Sequence, residues 1–178
     1  MVYSTTMTPG FTFLETLIAL SLIALLALIA LPQYQTYLSA QQQKTEIEYL
    51  LNALNLARQQ ALLQGLTISV CPDQTTQCGE DWSQGFRIVQ QGLTEEILIA
   101  AQQFSGDARI LLKTFPEGRE YLLQFTASGN TAIQNGSFYY CPKNRAQAKR
   151  IVFNQAGRSY VTEEGAVQAC VDPIPQSP

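Results

Sequence analysis

The sequence predicts an α+β fold in which one long N-terminal helix is laid on an antiparallel, β-rich head. Three observations carry this expectation. Residues 11–31 form an apolar run holding a single charge, about the twenty residues that a helix needs to cross a bilayer. Over residues 34–64 apolar side chains recur at spacings of three and four, which gives a helix one stripe for a core. Beyond Gly65 the pattern switches to short β-branched and aromatic runs separated by turn residues.

The helix is expected to bend at Pro32 and resume, because proline removes a backbone donor and crowds the preceding turn. Its amphipathic half, residues 32–65, carries Ile47, Leu50, Leu51, Leu54, Ala57, Ala61 and Leu62 on the predicted core stripe. Gln41 to Lys44, Glu46, Glu48, Arg58 and Gln59 are assigned to other faces, and polarity rises sharply near Gln41 to Lys44. Gly65 supplies the stop. Within the head, residues 66–178, strands are predicted over 67–70, 86–90, 96–101, 109–113, 121–125, 137–140, 150–154 and 159–162. Gln91-Gly92, Ser105-Gly106-Asp107, Pro116-Glu117-Gly118, Ser128-Gly129-Asn130 and Asn135-Gly136 mark turns between them. The proline-rich residues 172–178 cannot continue a central strand. About 110 residues remain for the head, enough for one domain with a modest core.

The formal net charge is −3 and histidine is absent, which removes the commonest general base and the commonest zinc ligand. No catalytic residue, metal ligand or cofactor is expected, and an enzyme is the least supported class. Cys71, Cys78, Cys141 and Cys170 lie beyond the apolar run with no Cys-x-x-Cys spacing. Such usage reads as two disulfides in an oxidising space, here a periplasmic one. Of the three pairings open to four cysteines, Cys71 with Cys78 and Cys141 with Cys170 are favoured. The first closes a short turn, and the second ties down the C-terminal segment.

Glu15 constrains function most. It is the first charged residue of the chain, and the next is Lys44. A carboxylate inside a membrane-spanning helix costs about 2.5 to 3.5 kcal/mol on insertion scales, so it ordinarily has a partner or a task. The run Gly10-Phe11-Thr12-Phe13-Leu14-Glu15-Thr16-Leu17-Ile18-Ala19-Leu20 resembles the processing site of type IV prepilins and of the pseudopilins of type II secretion. That resemblance implies a leader over residues 1–10, cleavage after Gly10 by a prepilin peptidase, and methylation of Phe11. It also implies an assembly role for Glu15, as the counter-ion of the Phe11 ammonium when subunits meet; a matched pair costs far less in apolar surroundings than a lone charge. The expected fold is then type IV pilin-like, with residues 11–31 as a single pass through the inner membrane. Residues 1–10 carry no Lys or Arg, and Pro9 precedes Gly10, so the positive-inside rule does not orient the segment. Topology rests on the resemblance and the cysteines. Two alternatives stand at the N-terminus: a plain anchor with a protonated Glu15, and a cleaved signal peptide, although the apolar run exceeds a signal peptide's usual length.

Cys71-Pro72-Asp73, the stretch Cys78-Gly79-Glu80-Asp81-Trp82-Ser83-Gln84-Gly85-Phe86, and Arg150-Ile151-Val152-Phe153-Asn154-Gln155-Ala156-Gly157-Arg158 resemble the FimT/FimU/GspH group of minor pilins and pseudopilins. The group implies other pilins in a fibre as partners and a part in initiating assembly. Trp82 is expected to pack rather than to bind a ligand. No acid lies between Glu120 and Glu163, whereas Lys143, Arg145, Lys149, Arg150 and Arg158 do, interleaved with Tyr139, Tyr140, Phe153 and Tyr160. Such a stretch is a candidate DNA surface. Some members of the group bind DNA through Gly-Arg-x-Arg near the C-terminus; here Gly157-Arg158-Ser159-Tyr160 lacks the second arginine. A solvated face or a contact with a neighbouring subunit is therefore favoured over DNA. The favoured function is assembly into a type IV pilus or pilus-like fibre, with DNA uptake and type II secretion as alternatives.

Overall fold

A computed structural model describes residues 12–74, 77–91, 96–131, 133–143 and 147–171. The chain divides into two compact units, residues 1–42 and 43–178, and α1 (Phe13–Gln64) runs through both. In the first unit the large apolar side chains from Phe13 to Leu38 are all exposed. An 18-residue window of α1 has a mean hydropathy of 2.6, and α1 is the one helix among the described residues long and apolar enough to cross a membrane. Its backbone remains helical through Pro32, so the expected resumption after the proline takes the form of one uninterrupted helix.

In the second unit, α1 is followed by β1 (Ile68–Gln74), β2 (Gln77–Cys78), a single 3-10 turn (Trp82–Gln84), β3 (Gly85–Gln91) and β4 (Glu96–Gln103). β5 (Arg109–Phe115), β6 (Leu123–Phe125), β7 (Asn135–Cys141), β8 (Lys149–Phe153), β9 (Ser159–Thr162) and the short α2 (Ala166–Val171) complete it. The eight predicted strands correspond to β1 and β3 through β9, with ends displaced by a few residues. They form two antiparallel sheets rather than one: β2-β1-β3-β4 with β6 added to β1, and β5-β7-β8-β9. Gly85 permits the close approach of β3 to β4. Its φ is 139°, and a Cβ there would lie 2.2 Å from the Gln102 carbonyl oxygen.

One core joins the helix stripe to both sheets. Ile47, Leu50, Ala53, Leu54, Ala57 and Ala61 of α1 belong to the same buried cluster as Ile68, Val70 and Phe125 of the first sheet and Ile110, Phe138 and Phe153 of the second. Leu62, expected on the stripe, is exposed and rests against Gly129, while Ala53 takes a buried position. Trp82 packs, with its ring edge-on to Phe138 at a centroid distance of 4.8 Å. Its Nε1 donates to the Glu120 carbonyl at 2.6 Å, so the buried indole keeps a partner for its polar atom.

Truncating Leu54 to Ala should cost about 2 to 5 kcal/mol through lost burial and a cavity, whereas Leu62→Ala should stay within about 1 kcal/mol, as exposed positions do. Urea denaturation followed by Trp82 fluorescence separates the two. Equal losses would contradict the stripe described here.

Candidate assembly site

In the membrane-length half of α1, the hydroxyl groups serve the helix's own backbone. Thr16 Oγ1 donates to the Phe13 carbonyl at 2.7 Å, and Ser21 Oγ donates to that of Ile18 at 2.8 Å, which removes their polarity from the surroundings. Thr12 precedes the first turn and accepts from the Glu15 N–H through Oγ1 at 3.3 Å. Thr12-x-x-Glu15 is thus half of a capping box, a local role for this segment that sequence reading did not weigh. The Glu15 side chain is exposed, and none of the ion pairs among the described residues includes it. Gly10 and Phe11, the expected processing pair, lie outside the described residues, as do Arg145 and residues 172–178.

In the amphipathic half of α1, three polar residues assigned to faces other than the core stripe turn inward. Glu46 is buried, and Oε1 accepts from the Ser105 N–H at 3.0 Å and from Ser105 Oγ at 2.7 Å. Oε2 accepts from Tyr140 Oη at 2.7 Å. Gln43, also buried, donates through Nε2 to the Gln147 carbonyl, and half-buried Arg58 donates through Nε to that of Gly129 at 2.8 Å. The physical reason is supply: loops and strands offer each side chain the partner that makes burial tolerable. Burial pushes the Tyr140 hydroxyl well above the usual tyrosine range, aided by its bond to Glu46 and the negative charges of Glu46 and Asp107. Spacing carried the signal that polarity concealed, since 43, 46, 50, 53, 57 and 61 all fall on one face.

Cys71 is bonded to Cys78 and Cys141 to Cys170. The first closes the β1–β2 turn, beside the buried pair of Asp73 Oδ1 and Arg87 Nε at 2.7 Å, which sequence reading missed. The second fastens α2 to β7 over a small cluster containing Ala148 and Ala166. The basic stretch acquires acids from elsewhere in the chain. Lys143 pairs with Asp107 at 2.9 Å, and Lys149 pairs with Glu163, whose carboxyl is held below its ordinary value by that ammonium. Arg150 donates through Nε to Ser137 Oγ at 2.8 Å, and Arg158 is exposed. Among the described residues no group of His, Cys, Asp and Glu could hold a metal ion.

Residues 46–157, more than half of the chain, match the family described as "Type II transport protein GspH". The chain belongs to the GspH family. Its match begins at the buried Glu46 and ends in the β8–β9 turn, so it covers most of the head. Crystal structures of the Pseudomonas aeruginosa (strain PAO1) type IV minor pilin FimU are similar in fold. The one in space group P21 gives a TM-score of 0.56 at 20% identity, over 71% of this chain and 92% of FimU. The one in space group P65 gives 0.52 at 21% identity, over 67% and 91%. Two curated Pseudomonas aeruginosa proteins, each called "Fimbrial protein", are 42% identical over 59 residues, which is 33% of this chain and 38% of each relative. The chain therefore matches well under half the length of those two relatives. The GspH-family head has the helix-on-sheets architecture of a type IV pilin.

The Glu46–Tyr140 bond gives this head a definite alkaline behaviour. Below about pH 10 tyrosine is neutral in both folded and unfolded chains; above it the unfolded chain loses the proton that buried Tyr140 retains, so stability falls as pH rises. Tyr140→Phe should cost about 1 to 3 kcal/mol at neutral pH and make the decline above pH 10 shallower. Denaturation midpoints measured across that range test this, and parallel declines for the two proteins would contradict it.

Proposed function

We propose that this GspH-family chain is a minor pilin or pseudopilin that is anchored in the inner membrane, joins a type IV pilus or pilus-like fibre, and helps to initiate its assembly. The observation that carries the reading is the apolar half of α1, whose large side chains are exposed and whose sole charge is Glu15. Exposed apolar surface on that scale calls for lipid or for other helices. In this account the prepilin peptidase cuts after Gly10 and methylates Phe11. The anchor waits in the bilayer with the head in the periplasm, then transfers into a bundle of neighbouring pilin helices.

Glu15 sets the axial register of that bundle. Its carboxylate meets the N-terminal ammonium of an adjacent subunit, and the pair replaces two isolated charges in an apolar medium by one compensated contact. The disulfide-tied head is a binding surface, not a reaction centre. Assembly is favoured over DNA uptake because Lys143 and Lys149 already have carboxylate partners, which lowers the positive field a phosphate backbone would need. Between pilus and secretion system, the name of the GspH family favours the latter and the similar "Fimbrial protein" and FimU relatives the former. Deletion scored for piliation and for export of folded proteins decides between them.

Glu15→Ala should leave membrane insertion and cleavage intact while reducing incorporation into sheared fibres more than about tenfold, since removing one member of a buried pair strands the other. Immunoblots of membrane and fibre fractions provide the measurement. Incorporation at the unsubstituted level would overturn the role given to this carboxylate.

A further inference from the structure

Two cations on the outer face of the β5-β7-β8-β9 sheet have no use in the reading above. Side chains alternate along these strands, so Ile110, Leu112, Phe138 and Ile151 fill the core while Lys113, Tyr139, Arg150, Val152 and Tyr160 face the other way. Arg150 stands opposite Tyr139 in the β7–β8 register, and Lys113 stands opposite Ser137 in the β5–β7 register. Lys113 Nζ lies 5.6 Å and Arg150 Cζ 5.5 Å from the centre of the Tyr139 ring. Both cations are therefore held against the one ring, which also packs on the cluster around the Cys141–Cys170 disulfide, and the bond from Arg150 to Ser137 fixes the guanidinium further. Among the described residues, the ion pairs include neither of them. Like charges gathered around one ring repel each other, and a shared anion relieves that repulsion. Tyr160, 57% exposed, extends the face with the aromatic character common at protein interfaces.

The same head carries a complementary surface. Glu80 and Asp81 are exposed at the rim of a polar cleft of about 440 Å³ that Gln77 and Gln84 also line. The ion pairs among the described residues include neither acid. We propose that the face formed by Lys113, Tyr139 and Arg150 docks the acidic Glu80-Asp81 turn of a second copy of this chain. The contact joins two different patches, so it is heterologous, and where its rotation does not close a ring it propagates as a helical filament. It takes its setting from the fibre reading above and adds a head-to-head contact, separate from the one made by the anchor helices.

The test uses the full chain in detergent micelles with a photo-reactive amino acid at Val152, which lies between the cationic pair and Tyr160. Peptide mapping should find crosslinks to residues 77–84 of another copy. K113E with R150E should lower the yield about tenfold, as should E80K with D81K, the loss expected when two exposed ion pairs become repulsive. Combining the four reversals should restore it. Because Arg150→Glu also removes the bond to Ser137 and Asp81→Lys the one to the Ser83 N–H, Lys113→Glu and Glu80→Lys are measured alone as well, with near-UV circular dichroism to establish folding; each should give a several-fold loss. Yields unchanged by the reversals, crosslinks elsewhere on the neighbour, or salt-sensitive binding of duplex DNA by this face without crosslinked copies would overturn the proposal. If Glu15→Ala fails to enter fibres while head crosslinking ignores every reversal, the face is wrong and the fibre reading stands; the opposite pattern spares the face and sinks the fibre.

Discussion

One uninterrupted helix has to satisfy two environments, and the rest of the molecule follows from that division. From Phe13 to Leu38 the large apolar side chains of α1 are exposed among the described residues. From Ile47 to Ala61 the same helix supplies the stripe around which two sheets condense. Burial of apolar area is favourable for both halves, but among the described residues only the second half is covered, by its own head. In the proposed fibre the first half is covered by lipid and then by neighbouring helices. In the proposed assembly, Glu15, the sole charge of that apolar half, is where the partner is specified rather than merely tolerated.

The head is fastened to its share of the helix by polar contacts as well as by packing. Glu46 accepts three hydrogen bonds from Ser105 and Tyr140, which fix the rotation of α1 against the second sheet more narrowly than apolar contacts would. Arg58 and Gln43 secure the same helix to loop carbonyls. Buried polar networks of this kind are costly when half made and specific when complete. The two disulfides fasten the β1–β2 turn and the terminal α2, both too short to hold themselves by backbone pairing alone.

What was legible in the sequence was local. The β-branched and aromatic runs announced their strands, and the three-and-four spacing announced the helix, because side-chain period follows directly from backbone geometry. The partition into two sheets was not legible: β1 takes β3 and β6 as neighbours, and β5 takes β7. These pairings join distant segments and leave no periodic trace. β2 and α2 were missed because two and six residues are too few to show a period. The burial of Glu46 was not legible because its polarity masks a spacing that sets it on the same buried face as Leu50 and Ala53. The ion pairs of the basic stretch were not legible for a related reason, since Asp107 and Glu163 lie outside it in sequence and join it only through the fold.

In the proposed assembly the ammonium of a processed N-terminus would give Glu15 its counterpart, so the residue at which the mature chain begins is decisive. Intact-mass and peptide spectrometry of the protein extracted from membranes reads that directly. The account predicts a mature chain starting at Phe11 with an N-methyl group. Material that retains Met1, or starts at another residue, would contradict it.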